Sequence, residues 1–358
     1  MPGEVGVRVD PGELEEFGRR VLAAVGLPEP HAGLASRAIV AADLRGVYSH
    51  GVSRLPAYVA RIQRDLVSRR PSIRLVKKGG AVGLIDAGNA LGHVAASLAM
   101  MIATGLAARH GAGVVGVRSS NHFGMAAYYA MMAAQRGFIG IALSNSAPAM
   151  APLGGTVPML GTNPMSVALP AGNHGMVVLD MSTSVVARGK VRVAALAGRR
   201  IPLGWGLDRQ GQPTDDPTQV LLGSLLPAAG AKGYALAVVI DLLSGVLTGS
   251  SYGSEVREST DLSGPAGVGH LCAALKVESF SRYDEFIERM EQYARSLKNC
   301  PRAPGIERIY LPGEIEAETA AAQLQGGILV GSEVWEQLGE IAAECRIPLP
   351  RCCVEKPA

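Results

Sequence analysis

Along residues 10–66, apolar side chains recur every three to four positions, which is the rhythm of one helical face. Leu14, Phe17 and Val21 form the first such face. Asp10 is its expected N-cap, Pro11 takes the first helical position, and Gly26 ends it. A second helix is predicted from about Pro30 to Leu44. A third runs from about Gly51 to Leu66, with Val52, Leu55, Val59 and Ile62 on one side, and the link between them is "RGVYSHG".

The rhythm then changes. "AVGLIDAG" and "GVVGVRS" read as buried strands separated by a helix over 94–109, and "FIGIALSNS", "MSVALP" and "MVVLDMS" repeat the strand signature, each bounded by glycine or proline. "IPLGWGLDRQGQPTDDP" is a turn-rich connection, after which Lys232 to Leu247 returns to helix. The strongest amphipathic pattern spans 281–299: Tyr283, Phe286, Ile287, Met290, Tyr293, Ala294 and Leu297 share one face, and Pro301 stops it. Two further helices are expected near 314–325 and 331–344. The pattern is one of helices flanking a sheet-bearing middle, without an internal repeat.

Composition narrows the function classes. With 358 residues, 48% of them hydrophobic, the chain can bury a large core and is not a disordered protein. Aromatic residues make up only 4% and the net charge is +3 with dispersed Lys and Arg, which excludes nucleic acid as the main partner. The longest apolar windows, "VAASLAMMIATGLAA" and "YALAVVIDLLSGVL", are shorter than the ~20 residues of a membrane span, and the second contains Asp241. The five cysteines are odd in number and lack a CxxC pair or zinc-spaced histidines, so no metal site is expected and a reduced, cytoplasmic compartment fits. The acidic start, "MPGEVGVRVDPGELEE", lacks the apolar run of a secretory signal.

"GAGVVG", residues 111–116, matches the G-x-G-x-x-G string of dinucleotide-binding folds. The context is wrong. A phosphate-cradling loop follows a strand and opens a helix, whereas this string follows a helix ending near His110 and runs into a strand. Gly111 reads as a helix C-cap, and Gly113 and Gly116 as strand glycines. Any nicotinamide cofactor therefore needs a fold other than the Rossmann unit.

Of the seven histidines, His31, His110 and His174 sit at turns or helix ends and His93 begins a helix, all read as solvated or capping residues; His270, beside a glycine-rich loop, is left undecided. His50 and His122 stand apart, each following polar residues at the mouth of a predicted helix. His50, Arg54 and Tyr58 are spaced four apart and can share one helical face, where a guanidinium offers a fork for a carboxylate. Surface decoration and a binding site are both compatible with that spacing. For His122, packing and proton transfer are equally open, since imidazole titrates near neutrality.

"RGVYSHGVSRLPAY", "SSNHFGMAAYYA", "LSNSAPAMAPLGG", "LGTNPMSVALP", "VLDMSTS", "IPLGWGLD" and "AKGYAL", in this order, resemble the malate/L-lactate dehydrogenase family. That family includes ureidoglycolate and sulfolactate dehydrogenases and piperideine-2-carboxylate reductases. The resemblance implies an α/β (α+β) non-Rossmann fold, with a helical lobe from 1–74 and 300–358. A largely antiparallel NAD(P)-binding sheet lobe would cover 75–299 and carry a smaller inserted subdomain. It also implies a homodimeric enzyme that moves a hydride between NAD or NADP, NAD being favoured, and a small 2-hydroxy or 2-oxo acid. Malate is the first expected substrate and lactate the next; the alternatives are a cyclic imine reductase and a non-catalytic binding protein on the same fold. Carried over position by position, His122 is the proton acceptor, while Ser49, His50, Arg54 and Tyr58 form the substrate side, Tyr58 closing the pocket. Ser146, Asp180, Met181, Ser182, Lys232, Pro312, Gly313 and Glu314 line the cofactor. Tyr48 replaces an acidic residue of the family pattern, "DMSTS" replaces "DMATS", and "PAAGAKG" replaces "GGYKG". The last two touch cofactor positions and leave the NAD or NADP preference open. Cys352 and Cys353 receive no role.

Overall fold

The computed structural model describes residues 6–353. The first five residues of the acidic start lie outside them. Helix α1 (Pro11–Ala24) begins as its sequence dictates: the Asp10 carboxylate accepts from the Gly12 and Glu13 amides at 2.8 and 3.1 Å, and Pro11 sits where no donor is needed. Helix α2 (Glu29–Leu44) follows after a short turn. Helix α3 spans only Leu55–Gln63, shorter than the predicted 51–66. Pro56 explains the late start: lacking an N–H, it belongs in a first turn, so the α-helix opens at Leu55 and residues 52–54 wind more tightly ahead of it. Leu14, Val21, Leu22, Ile39, Leu55 and Ile62 pack into one core, together with Ile328, Val330 and Leu338 from the other end of the chain.

Those distant residues are brought in by a pairing that the sequence pattern did not reveal. Strand β1 (Gly6–Val9) runs antiparallel to β11 (Ile328–Gly331), with Val9 opposite Ile328. Helices α10 (Glu314–Gly326) and α11 (Ser332–Cys345) flank β11 close to their predicted positions.

Between these ends lies a seven-stranded sheet. Its order is β2 (Arg74–Gly79), β3 (Val82–Asp86), β4 (Ala112–Ser120), β10 (Val268–Lys276), β5 (Phe138–Ser144), β6 (Met165–Pro170), β7 (Met176–Met181). Every neighbouring pair is antiparallel except β3 with β4. The sheet is thus largely antiparallel, as the resemblance implied. Its middle strand, β10, went unread: "VGHLCAALK" is buried on both faces and offers no polar alternation to read.

Helix α4 (Gly92–His110) is buried on most sides, and alanines at 95, 96, 99, 103 and 107 let it lie close to the sheet. The "GAGVVG" glycines record how close. Gly111 has φ +84° and caps α4 in the left-handed region. A Cβ at Gly113 would stand 2.0 Å from the Ala103 carbonyl of α4, and one at Gly116 3.0 Å from Thr248. Three residues apart on a strand, these two glycines point to opposite faces, so one admits α4 and the other the segment after α8 (Ala231–Asp241), which continues as a π-helical turn over Leu242–Val246. All three are thus accounted for by capping and packing.

A smaller unit built from α6 (Arg188–Leu196), α7 (Pro217–Leu222), β8 (Gly206–Leu207) and β9 (Ser224–Leu225) has its own apolar cluster around Val191, Ile201 and Val220. Helix α5 (Ala126–Ala134) packs on β5 and β6, and α9 (Tyr283–Lys298) matches the predicted amphipathic stretch, though only Ala294 on it is fully buried. No helix among the described residues is long and apolar enough to cross a membrane.

Gly113→Ala forces a Cβ into the α4 backbone and is expected to destabilise the protein by about 1–3 kcal/mol. Gly79→Ala, at an exposed strand end with nothing within 4 Å, is expected to be close to neutral. Urea unfolding midpoints of the two variants check this; equal midpoints would contradict the close packing of α4 on β4.

Candidate active site

The loop from α2 to α3 makes the first wall of the site. Gly46, at φ +74°, turns the chain after α2, and residues 48–50 and 52–54 form two 3₁₀ turns. The loop is knitted together internally. The His50 amide donates to the Val47 carbonyl at 2.9 Å, the Ser53 hydroxyl to the Tyr48 carbonyl at 2.6 Å, and Arg54 Nε to the Ser49 carbonyl at 2.7 Å. Ser49 Oγ lies 2.8 Å from His50 Nδ1. Because the chain changes from 3₁₀ to α winding at Leu55, His50, Arg54 and Tyr58 do not share one continuous helical face. Ser49 stays exposed and Arg54 partly so, whereas Tyr58 turns inward and is 2% exposed.

His122 comes from the other side, in the crossing between β4 and α5. Its backbone is fixed from below: a Cβ at Gly92, the first residue of α4, would lie 2.1 Å from the Asn121 carbonyl and 2.5 Å from that of His122. The buried Asn121 amide donates to the Ala90 carbonyl and Asn89 Oδ1, both at 2.9 Å. The imidazole then meets the first wall. Tyr58 Oη is 2.8 Å from His122 Nδ1, and the His50 ring stacks on it at 5.6 Å between centroids with 24° between planes. The Gly124 amide also donates to Nδ1, at 3.3 Å. Residues that the sequence places 64 positions apart thus form one stack of His50, His122 and Tyr58. Tyr58 backs the imidazole and does not close the cleft.

Two further histidines stand behind this stack. His93, read from sequence as solvated or capping, is fully buried against Tyr58, their rings edge-on at 5.0 Å, and neither of its nitrogens has a hydrogen bond. The signal was there: His93 enters the apolar run "VAASLAMM", where a solvated residue has no place. His270 bridges Ser144 Oγ and Ser120 Oγ, each at 2.9 Å, and lies flat on Phe123 at 4.7 Å. It therefore supports the residue next to His122.

Burial sets the charge of these imidazoles. Burial, assisted by Arg54, pushes His50 down to about 4; burial takes His93 and His270 each to about 3. His122 is held well below the ordinary imidazole value by burial and by repulsion from His50, Arg54, His93 and His270. At neutral pH the stack is uncharged, with the Arg54 guanidinium as a charged neighbour.

The residues assigned to the cofactor gather at the ends of β5, β7 and α8. Ser146 follows β5, its amide donating to Asn163 Oδ1 at 3.0 Å and its hydroxyl 3.4 Å from Thr162 Oγ1. Asp180 and Met181 end β7, and Ser182 Oγ lies 3.1 Å from Ser184 Oγ. Lys232 is exposed in the first turn of α8, whose neighbouring Gly233 leaves no room for a Cβ beside the Ala228 and Thr183 carbonyls. Hydroxyls, an open helix N-terminus and a lysine suit the phosphates of a dinucleotide.

Two assigned carboxylates have other engagements. Burial pushes the Asp180 carboxyl up to about 7, while the Ala127 amide near the start of α5 and Arg45 pull it back. Glu314 is held by Lys298, Arg308 and the Leu311 amide and stays ionised down to about 2. Pro312 accepts from the Val178 amide at 2.9 Å, and Gly313 from Arg45 at 3.3 Å. Arg45, which the sequence reading passed over, thus joins the substrate-side loop to this region.

A cavity of about 350 Å³ lies elsewhere, between α5, the β6–β7 turn and α9, and no assigned residue lines it. Among the described residues, no three His, Cys, Asp or Glu side chains group as a metal site.

The profile of the malate/L-lactate dehydrogenase family matches residues 9–339. A malate/(S)-sulfolactate dehydrogenase from Methanothermus fervidus is 38% identical over 341 residues, covering 95% of this chain and 99% of that protein. A ureidoglycolate dehydrogenase (NAD(+)) from Escherichia coli is 37% identical over 321 residues, 88% of this chain and 90% of its own. The solved sulfolactate dehydrogenase of Methanocaldococcus jannaschii superposes with a TM-score of 0.90 at 35% identity, over 96% of this chain and 98% of its own. Coverage and identity at this level leave one conclusion: the chain belongs to the malate/L-lactate dehydrogenase family.

Proposed function

We propose that the chain interconverts small 2-hydroxy acids and 2-oxo acids with NAD or NADP as the redox partner, malate being the first substrate to try and lactate the next. The observation that carries this reading is the neutral His122 ring, bonded to Tyr58 on its Nδ1 edge and stacked on His50, with Arg54 on the same loop. Nicotinamide, when bound, supplies the hydride chemistry at its C4. Ser146, Ser182, the N-terminus of α8 and Lys232 would hold the dinucleotide, and relatives named for NAD(+) and NADP(+) support a nicotinamide cofactor of one kind or the other.

The chain's own residues have three tasks. Arg54 fixes the substrate carboxylate with its guanidinium fork, while Ser49 and His50 add hydrogen bonds beside it. His122 exchanges a proton with the substrate oxygen through Nε2, because Nδ1 is engaged by Tyr58. With Oη accepting from Nδ1–H, the Nε2 lone pair is free to take the hydroxyl proton in oxidation. In reduction the imidazolium, its Nδ1–H still held by Oη, gives the Nε2 proton to the carbonyl oxygen and returns to the neutral ring.

A panel of malate, lactate, sulfolactate, ureidoglycolate and piperideine-2-carboxylate, run with both cofactors, tests the substrate and cofactor assignment. His122→Ala is expected to lose on the order of 10²-fold or more in turnover while NADH binding persists. Unchanged turnover removes the proton role, and absence of any NADH binding by the wild type favours a non-catalytic protein.

The pH profile gives an independent check. A base must be neutral to act, and the His122 value lies well below 6.5 in the folded protein. Its protonated form therefore accumulates only in acid, so kcat/KM for hydroxy-acid oxidation should be flat from about pH 6.5 to 8 and fall on acidification below that range. An acid limb centred at or above 6.5 contradicts the depressed value.

A further inference from the structure

The loop carrying Ser49, His50 and Arg54 has exposed surface and little apolar content, yet its internal bonds alone do not say where it stands relative to His122. Something beneath it does. Asp43, in the last turn of α2, is 3% exposed, and its Oδ2 accepts the Val52 amide at 2.7 Å. Between the two lies Gly51, where a Cβ would stand 1.8 Å from Asp43 Oδ1 and 2.1 Å from Cγ. The carboxyl group therefore occupies the space that any other residue at 51 would need.

The anchor is itself anchored. Buried Gln323 on α10 donates to the backbone carbonyls of Asp43 and Leu44 at 2.9 and 3.1 Å, and its Oε1 accepts the Leu329 amide of β11 at 3.3 Å. The Asp43 backbone is tied to both α10 and β11, and its side chain reaches the middle of the loop, between His50 and Arg54. Burial pushes the Asp43 carboxyl up to about 8, so near neutrality it is mostly the uncharged acid, against which an amide is nearly isosteric.

We propose that Asp43 is a positioning residue for substrate binding, setting through the Val52 amide and the side-chain-free Gly51 where Ser49, His50 and Arg54 stand. It touches no reacting atom. The proposal rests on the reading that this cluster receives the substrate carboxylate. It predicts a split between the two substrates of the reaction: loosening the anchor harms recognition of the organic acid and spares the dinucleotide.

Asp43→Ala is expected to raise KM for the preferred 2-oxo acid by about tenfold or more, to leave the NADH Kd within about twofold, and to speed hydrogen–deuterium exchange over residues 48–54. Asp43→Asn keeps an acceptor for the Val52 amide and should return KM to within about threefold of the wild type, with wild-type exchange. Gly51→Ala should reproduce the Asp43→Ala effects, and combining the two should add little. Asp43→Ser replaces the alanine variant if that one does not fold. Unchanged KM and exchange in Asp43→Ala, an asparagine variant no better than alanine, or a parallel loss of NADH affinity would each overturn the proposal. If the wild type turns over no 2-oxo acid or cyclic imine, it is the dehydrogenase reading that fails. The exchange comparison then decides the anchor alone, faster exchange supporting it and unchanged exchange overturning it.

Discussion

The hydrogen bond between Tyr58 and His122 is the constraint on which the site depends. It is 2.8 Å long, is backed by a phenol almost wholly removed from solvent, and joins two segments that share no secondary structure. One partner belongs to a helical layer held together by α1, α2, α3 and the chain's far end; the other follows the end of β4, an interior strand of the sheet. Burial raises the pKa of Tyr58 above the ordinary phenol range and lowers that of His122, so both remain neutral and neither leaves a buried charge uncompensated. A neutral pair tolerates a nearby guanidinium, which a protonated imidazole would repel.

Close backbone approach recurs as the means of holding this pair. Gly92 lets α4 press on the backbone of residues 121 and 122, Gly113 lets the same helix lie against β4, and Gly51 lets the Asp43 carboxyl sit beneath the substrate-side loop. In each case the missing Cβ is what brings a chemical group to its place. The string "GAGVVG" shows the same physics outside the site: its glycines serve capping and close packing.

Much of this was legible in the sequence, and unevenly so. Helix α1 was read from its start because cap and periodicity agree there, and α10 and α11 fall within a residue of their expected ends. Strand β10 was not read, since burial on both faces removes alternation, and neither was the β1–β11 pair, whose partners lie more than 300 residues apart. Ser49, His50, Arg54, Tyr58 and His122 could be singled out through resemblance, and the structure brings those five together. Spacing alone misled on one point, because four-residue steps across Pro56 do not follow one helix. His93 was misread because its position at a helix start outweighed its apolar neighbours. Asp43 and Arg45 act through contacts that no local pattern encodes.

The most direct measurement is a crystal structure of the protein with NADH and oxamate, an unreactive analogue of a 2-oxo acid. The account predicts the oxamate carboxylate on Arg54 and its 2-oxygen within hydrogen-bond distance of His122 Nε2, with nicotinamide on the opposite side of the analogue. Oxamate bound away from both residues, for example in the cavity beside Tyr283, would contradict it.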